Sequence, residues 1–144
     1  MNPFRRRTLA AIALLLLPLR ALAAWNKEAF QAKSAADALK SLGVSAPAES
    51  QDILIEAPQI AENGAVVPVE ITSNIPGTRS IAVVVEKNPF PLVAKFDFSE
   101  SAVPFVKVNV KVGESSFVRA IAEAGGKHYT AAREVKVTIG GCGG

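Results

Sequence analysis

Residues 26–42 carry apolar side chains three and four positions apart, which is the period of an amphipathic helix. Most of this stripe is alanine, and Gly43 follows at the place of a helix C-cap. Phe30 falls off the stripe, so either the helix is covered on two sides or its register differs. The pattern predicts one short N-terminal helix, followed by a linker over residues 44–51, where Pro47 and small side chains accumulate.

After residue 51 apolar and polar residues alternate, which is the period of a half-buried β-strand. The clearest run is residues 106–112, where four valines alternate with Lys107, Asn109 and Lys111. Seven strands are predicted, over residues 52–56, 65–72, 80–86, 92–98, 106–112, 116–123 and 129–139. Glycine-containing turn signals such as Asn63-Gly64 separate them. This spacing predicts an all-β protein, with an immunoglobulin-like antiparallel β-sandwich over residues 52–139.

The first 23 residues have the pattern of a signal peptide. Three arginines at positions 5–7 precede an apolar run over residues 9–19, and residues 21–23, Ala-Leu-Ala, fit a cleavage site. The run is shorter than the ~20 residues that a membrane-spanning helix needs. Residues 6–9, Arg-Arg-Thr-Leu, resemble a twin-arginine export signal, which carries folded proteins. The mature chain, with residues 24–51 as helix and linker, is therefore expected in the periplasm and not in a membrane.

Removal of the signal changes the charge of the chain. The full sequence has 16 basic and 13 acidic residues, but four arginines at positions 5, 6, 7 and 20 belong to the signal, which leaves 12 basic residues. The mature chain therefore lacks the clustered positive charge of a nucleic-acid-binding protein, and no nucleic-acid partner is expected. One histidine and one cysteine cannot complete a four-ligand metal site, so no metal or other cofactor is expected either.

The candidate functional residue is Cys142, the only cysteine of the chain. It lies in the segment Gly140-Gly141-Cys142-Gly143-Gly144, where four glycines give the backbone little conformational preference. Residues 140–144 are therefore predicted to form a flexible arm with an exposed thiol. A single cysteine in an exported protein indicates a free reactive thiol or intermolecular pairing, such as a Cys142–Cys142 disulfide dimer.

Cys142 is not expected to act as an enzyme nucleophile without a partner. A catalytic cysteine needs a base within hydrogen-bond reach, and the only histidine, His128, lies at the other end of the last predicted strand, about 35 Å away along the strand. The nearby terminal carboxylate disfavours the thiolate. The thiol is therefore expected to react only when docked in a partner, as in a carrier protein, so no catalytic residue is predicted.

Two segments resemble the SoxY family, the sulfur carriers of the bacterial Sox thiosulfate-oxidising system. One is Val-Glu-Lys-Asn-Pro at residues 85–89 with Pro91, Leu92 and Phe96, and the other is Val-Lys-Val-Thr-Ile-Gly-Gly-Cys-Gly-Gly at residues 135–144. With the export signal, the small helix and the sandwich, the resemblance covers essentially the whole mature chain. The tail is its specific part, because the sandwich alone occurs in many unrelated proteins.

The resemblance implies that Cys142 holds sulfur intermediates covalently while partner enzymes act on them. The implied enzymes are a haem c enzyme that attaches thiosulfate oxidatively, a di-manganese hydrolase that releases sulfate, and a sulfur dehydrogenase that oxidises the remaining sulfane. Their cofactors belong to those partners. The resemblance also implies a heterodimer with a SoxZ-like β-sandwich subunit that lacks its own signal, which fits export of a folded pair.

Two other functions fit parts of the chain. A C-terminal Gly-Gly also occurs in the ubiquitin-like sulfur carriers, which use the terminal carboxylate as a thiocarboxylate, but these are small cytoplasmic proteins and the signal peptide argues against them. An exported structural or adhesion-type sandwich would instead use Cys142 for intermolecular disulfide crosslinking. Labile sulfur adducts on Cys142 would favour a carrier, whereas only a stable homodimer would favour the structural role.

Overall fold

The computed structural model describes residues 26–138, which form two short helices and nine strands. The helices are α1 (Lys27–Gln31) and α2 (Ala35–Ser41). The strands are β1 (Ala48–Glu49), β2 (Ile53–Glu56), β3 (Ile60–Ala61), β4 (Val67–Ser73), β5 (Thr78–Val85), β6 (Leu92–Asp97), β7 (Phe105–Val110), β8 (Ser116–Ala124) and β9 (Lys127–Val137). The predicted signal peptide and the predicted arm lie outside the described residues.

The strands form two sheets that pack face to face. The larger sheet has the order β1-β9-β8-β5-β6, with β3 also paired to β9, and the smaller sheet has the order β2-β4-β7. All pairs between the seven longer strands are antiparallel. The prediction of an all-β, immunoglobulin-like sandwich is therefore confirmed.

The main core lies between the two sheets and consists largely of valine and isoleucine, whose branched side chains pack well on a pleated surface. A second, smaller cluster lies on the other face of the larger sheet, under the helices. Val83 on β5 belongs to the first cluster and Val84 to the second, so this central strand is buried on both faces. Below, we call the face of the larger sheet that carries the helices its outer face.

The single helix predicted over residues 26–42 is wrong, because the structure has two helices separated by Ala32, Lys33 and Ser34. Ser34 Oγ accepts a hydrogen bond from the Asp37 N–H at 3.1 Å and so caps the start of α2. A serine that caps a new helix competes with continuation of the previous one. Phe30 packs against the cluster under the helices, so its place off the alanine stripe reflects the break in register.

The end of α2 agrees with the sequence pattern. Gly43 has a φ of 74°, a left-handed conformation that glycine adopts without steric cost. Its N–H donates to the Lys40 carbonyl, and the Val44 N–H donates to the Leu39 carbonyl, both at 2.9 Å. These two bonds are those of a Schellman motif, so Gly43 terminates the helix as predicted.

Each of the seven predicted strands overlaps one observed strand, but β1 and β3 were not predicted. β1 lies within residues 44–51, which were predicted to be a linker. Both strands have two residues and pair in parallel with the same edge of β9, β1 near its start and β3 near its end. A strand of two residues is too short to show a hydrophobic period, so the sequence does not predict it. In the fold, β1 and β3 cover an edge of β9 that would otherwise be open. Among residues 26–138, no helix is long and apolar enough to cross a membrane.

Candidate functional site

The predicted site residues, Cys142 and the four glycines at positions 140, 141, 143 and 144, lie outside the described residues. Their assignment stays a prediction. The described chain reaches Thr138, one residue past the end of β9. We call Val137 and Thr138, together with the residues that contact them, Ala61, Gly64 and Ser115, the arm root.

The last residues of β9 are held on both sides. The Val137 N–H donates to Ser115 Oγ at 2.9 Å, on the β8 side of the strand. On the other side the Thr138 N–H donates to the Ala61 carbonyl at 3.2 Å, as part of the pairing with β3. Val135 is fully buried in the main core and Val137 packs against it. The chain is therefore held in position as far as Thr138, the last described residue.

Gly64 lets the loop before β4 approach the arm root closely. A Cβ at this position would stand 2.9 Å from Val137 Cγ1 and closer still to the Val112 carbonyl oxygen, a separation that real Cβ atoms do not show. The Gly64 carbonyl also accepts a hydrogen bond from the Val112 N–H at 2.7 Å. The sequence marks Asn63-Gly64 as a turn, but the structure shows that Gly64 is required by close packing against β9.

The segment 85–89, which carries part of the family resemblance, supports the arm root from a second direction. Asn88 Nδ2 donates to the Lys111 carbonyl at 2.7 Å, and the Gly113 N–H donates to Asn88 Oδ1 at 3.0 Å. The Lys87 N–H donates to Ser116 Oγ at 3.1 Å. These bonds join the turn after β5 to the loop between β7 and β8, which contains Ser115. The segment is therefore structural, and the sequence alone did not show this role.

Arg119 connects this region to the edge of the sheet. Its side chain is 25% exposed, and its Nε donates to Glu86 Oε1 at 2.7 Å. Its Nη1 lies 3.4 Å from Glu49 Oε1 and 3.2 Å from Thr130 Oγ1. A charge that is only partly exposed needs such partners. The network ties β1 to β8, β9 and the turn after β5.

His128 lies at the opposite end of β9 from the arm root, where it is paired across the hairpin with Glu123. The strand between His128 and Val137 spans about 30 Å, at about 3.3 Å per residue. Among residues 26–138, no three His, Cys, Asp or Glu side chains lie together as a metal site would require. The described residues around the arm root thus include neither a histidine nor a group of three possible metal ligands.

The outer face of the larger sheet is covered by the helices over only part of its length. The cluster under the helices extends to Val84 on β5 and Ile121 on β8. Beyond it, towards the arm root, Phe117 is 46% exposed and Ile60 is 61% exposed. Phe90, also 46% exposed, lies in the turn between β5 and β6, where Lys33 Nζ from the segment between the two helices stands 4.1 Å from its ring centroid.

Comparison with known protein families assigns the chain to one of them. The family model described as sulfur oxidation protein SoxY matches residues 38–142, a span that includes Cys142. The chain belongs to the SoxY family. Among solved structures, the sulfur carrier protein SoxY from Chlorobium limicola f thiosulfatophilum is similar, with 44% sequence identity and a TM-score of 0.61 over 66% of this chain and 87% of that one. The resemblance drawn from the sequence is thus confirmed.

A second solved structure shares the fold. The superoxide reductase (neelaredoxin) from Ignicoccus hospitalis matches with a TM-score of 0.54 and 22% identity, over 61% of this chain and 81% of that one. At this identity the likeness concerns the sandwich only. No curated protein matches the chain in sequence.

Proposed function

We propose that this protein is a periplasmic sulfur carrier that holds sulfur intermediates covalently on Cys142 during thiosulfate oxidation and presents them to partner enzymes. The observation that carries the proposal is that the SoxY family match extends to residue 142 and so includes the only cysteine of the chain. The similar protein from Chlorobium limicola is itself named a sulfur carrier. The carrier is not an enzyme by itself.

The chemistry begins with the loading of thiosulfate. The Cys142 thiol loses its proton, and its sulfur forms a bond with the outer sulfur of thiosulfate. This step releases two electrons, which the haem c partner accepts, and leaves a Cys–S–S–SO₃⁻ adduct. Hydrolysis by the di-manganese partner then breaks the bond to the sulfonate with one water, and releases sulfate and two protons. The remaining Cys–S–S⁻ is the substrate of the sulfur dehydrogenase.

In this proposal the sandwich holds the arm in place, and the glycine-rich arm carries the thiol to the enzymes. The arm root is held by hydrogen bonds to Ser115 and Ala61, whereas residues 140, 141, 143 and 144 are glycines, which have no side chain and restrict the backbone least of all residue types. In this proposal the docked enzyme activates the thiol, since the only histidine of the chain, His128, lies at the other end of β9. A SoxZ-like subunit completes the exported carrier as a heterodimer.

Substitution of Cys142 tests the proposal. Cys142→Ser is expected to abolish thiosulfate-dependent cytochrome reduction in a system reconstituted from the carrier, its second subunit and the three enzymes. The thermal unfolding midpoint is expected to stay at the parent value, because residue 142 lies beyond the last strand. A serine variant that turns over thiosulfate substantially would contradict the carrier function.

A further inference from the structure

The uncovered part of the outer face forms a surface next to the arm root. It contains the exposed side chains Ile60 on β3 and Phe117 on β8, with Glu134 and Lys136 on β9 between these two strands. We call it the arm-side face. Side chains alternate across a strand, and because Ala61 and Val118 belong to the main core, Ile60 and Phe117 point to the outer face.

The arm-side face is continuous with the arm root. Ile60 pairs with Lys136, and the next residue of β3, Ala61, accepts the hydrogen bond from Thr138. Phe117 pairs with Glu134 on the neighbouring strand. Beside them lies a groove of about 440 Å³, lined by Ile60, Glu134 and Lys136 together with Gln59, Ala132 and Arg133. The face thus combines exposed apolar side chains with flanking charges of both signs, the composition of a protein-binding surface.

The length of the arm limits where a partner can bind. The four residues from Thr138 to Cys142 span at most about 13 Å when extended. An active site that receives the thiol must therefore open within about 13 Å of Thr138, and the protein surface around its entrance lies against the residues that surround the arm root. The exposed apolar residues at the other end of the sandwich, Leu54 and Phe105 on the smaller sheet, are far from this point.

We propose that the arm-side face is the docking surface for an enzyme that takes the Cys142 arm into its active site. The proposal rests on the carrier function and adds the location of the contact. Phe117 and Ile60 are its apolar anchors, since their burial on docking removes exposed hydrocarbon from water. Glu134 and Lys136 fix the orientation of the partner through complementary charges.

The test compares matched phenylalanine substitutions at the two ends of the sandwich. Phe117 and Phe105 are both 46% exposed on strands, but only Phe117 lies on the arm-side face. Phe117→Ser, Phe105→Ser and Phe117→Leu are each purified with the second subunit, and only preparations that elute like the parent complex are compared. The measurement is thiosulfate-dependent cytochrome reduction in the reconstituted system as the carrier concentration is varied.

Phe117→Ser is expected to raise the carrier concentration for half-maximal rate by about tenfold or more, as truncation of an interface anchor does. Phe117→Leu keeps an apolar side chain and is expected to stay near the parent value, and Phe105→Ser is expected to match the parent. Alkylation of Cys142 by iodoacetamide is expected to be equal in all four proteins, because a small reagent needs no docking surface.

Four results would overturn the proposal. Parent-like kinetics of Phe117→Ser, or an equal loss in Phe105→Ser, would show that the arm-side face is not the docking surface. If Phe117→Ser, and not Phe105→Ser, fails to elute like the parent complex, the face binds the second subunit or another copy of the chain and is not the docking surface for an enzyme. If the parent itself shows no thiosulfate-dependent turnover, the carrier function fails, and the docking proposal fails with it.

Discussion

The two ends of strand β9 differ in how the rest of the sandwich holds them. At the arm root, Ser115 and Ala61 bind the backbone from both sides and Gly64 packs against Val137. At the remote end, Gly125 and Gly126 form a hairpin tip where an added Cβ would meet nothing within 4 Å. Both ends of β9 are paired on two sides, so the difference lies in the packing: the glycine beside the arm root has no room for a side chain, whereas the glycines of the hairpin tip face open space.

Valine substitutions in the two glycine pairs give the largest expected contrast between the ends. Gly141→Val with Gly143→Val restricts the arm backbone and widens it, so enzyme-coupled turnover is expected to fall on the order of a hundredfold. The unfolding midpoint and the rate of iodoacetamide alkylation are expected to change little. Turnover kinetics, alkylation and thermal unfolding together check the prediction.

The matched control places valines in the hairpin. Gly125 and Gly126 have φ values of 58° and 75°, so Gly125→Val with Gly126→Val is expected to cost about 1 to 2 kcal/mol of stability at each position. Turnover of the folded variant is expected to match the parent. If the arm valines left turnover unchanged, the arm would be only a tether, and the argument for entry into a narrow channel would be wrong.

Gly64→Ala is expected to lower the free energy of unfolding by about 2 to 3 kcal/mol, because the new methyl group overlaps the Val112 carbonyl and crowds Val137. Urea unfolding monitored by circular dichroism measures this change. Alanine at Gly43 is the control, since that position has open space and only the cost of its positive φ, about 1 kcal/mol. Equal losses of stability in Gly64→Ala and Gly43→Ala would show that the close packing of Gly64 against β9 does not contribute to stability.

Asn88→Ala is expected to lower the free energy of unfolding by about 1 to 2 kcal/mol, because it removes the hydrogen bonds to Lys111 and Gly113 in the loop between β7 and β8. Asn109→Ala, at an exposed position on β7, is the control and is expected to stay within about 0.5 kcal/mol of the parent. Denaturant unfolding of both variants checks the difference. An Asn88 variant as stable as the Asn109 variant would show that segment 85–89 does not support the arm root.

The sequence predicts the seven longer strands from residue runs long enough to show a strand pattern and from the turn signals between them. Alternation is clearest in β7, whereas β5 is apolar over residues 81–85 because both of its faces are buried. The sequence does not predict β1 and β3, since two residues show no period and their pairing with β9 depends on contacts distant in sequence. It marks Gly64 as part of a turn, but the reason for glycine there is the approach of Val112 and Val137, which only the fold brings together.

For the candidate site the contribution of the sequence is larger. Cys142 and its glycines are conspicuous in the sequence, and the family match extends to that cysteine. The arm root and the arm-side face cannot be recognised in the sequence, because Ile60 and Phe117 are far apart along the chain and share a surface only after folding. The sequence also does not predict the break between α1 and α2. Ser34 is compatible with a continuous alanine-rich helix, and only the structure shows that its side chain caps the start of α2.

The central claim is that Cys142 carries sulfur covalently, and the intact mass of the native protein tests it most directly. Protein isolated from periplasm of cells grown on thiosulfate is compared before and after reduction with dithiothreitol, beside the Cys142→Ser variant from the same cells. We predict sulfur-containing adducts, including one equal to bound thiosulfate, that reduction removes and the serine variant lacks. A mass spectrum with only unmodified chain, or only a Cys142-linked homodimer, would contradict the carrier function.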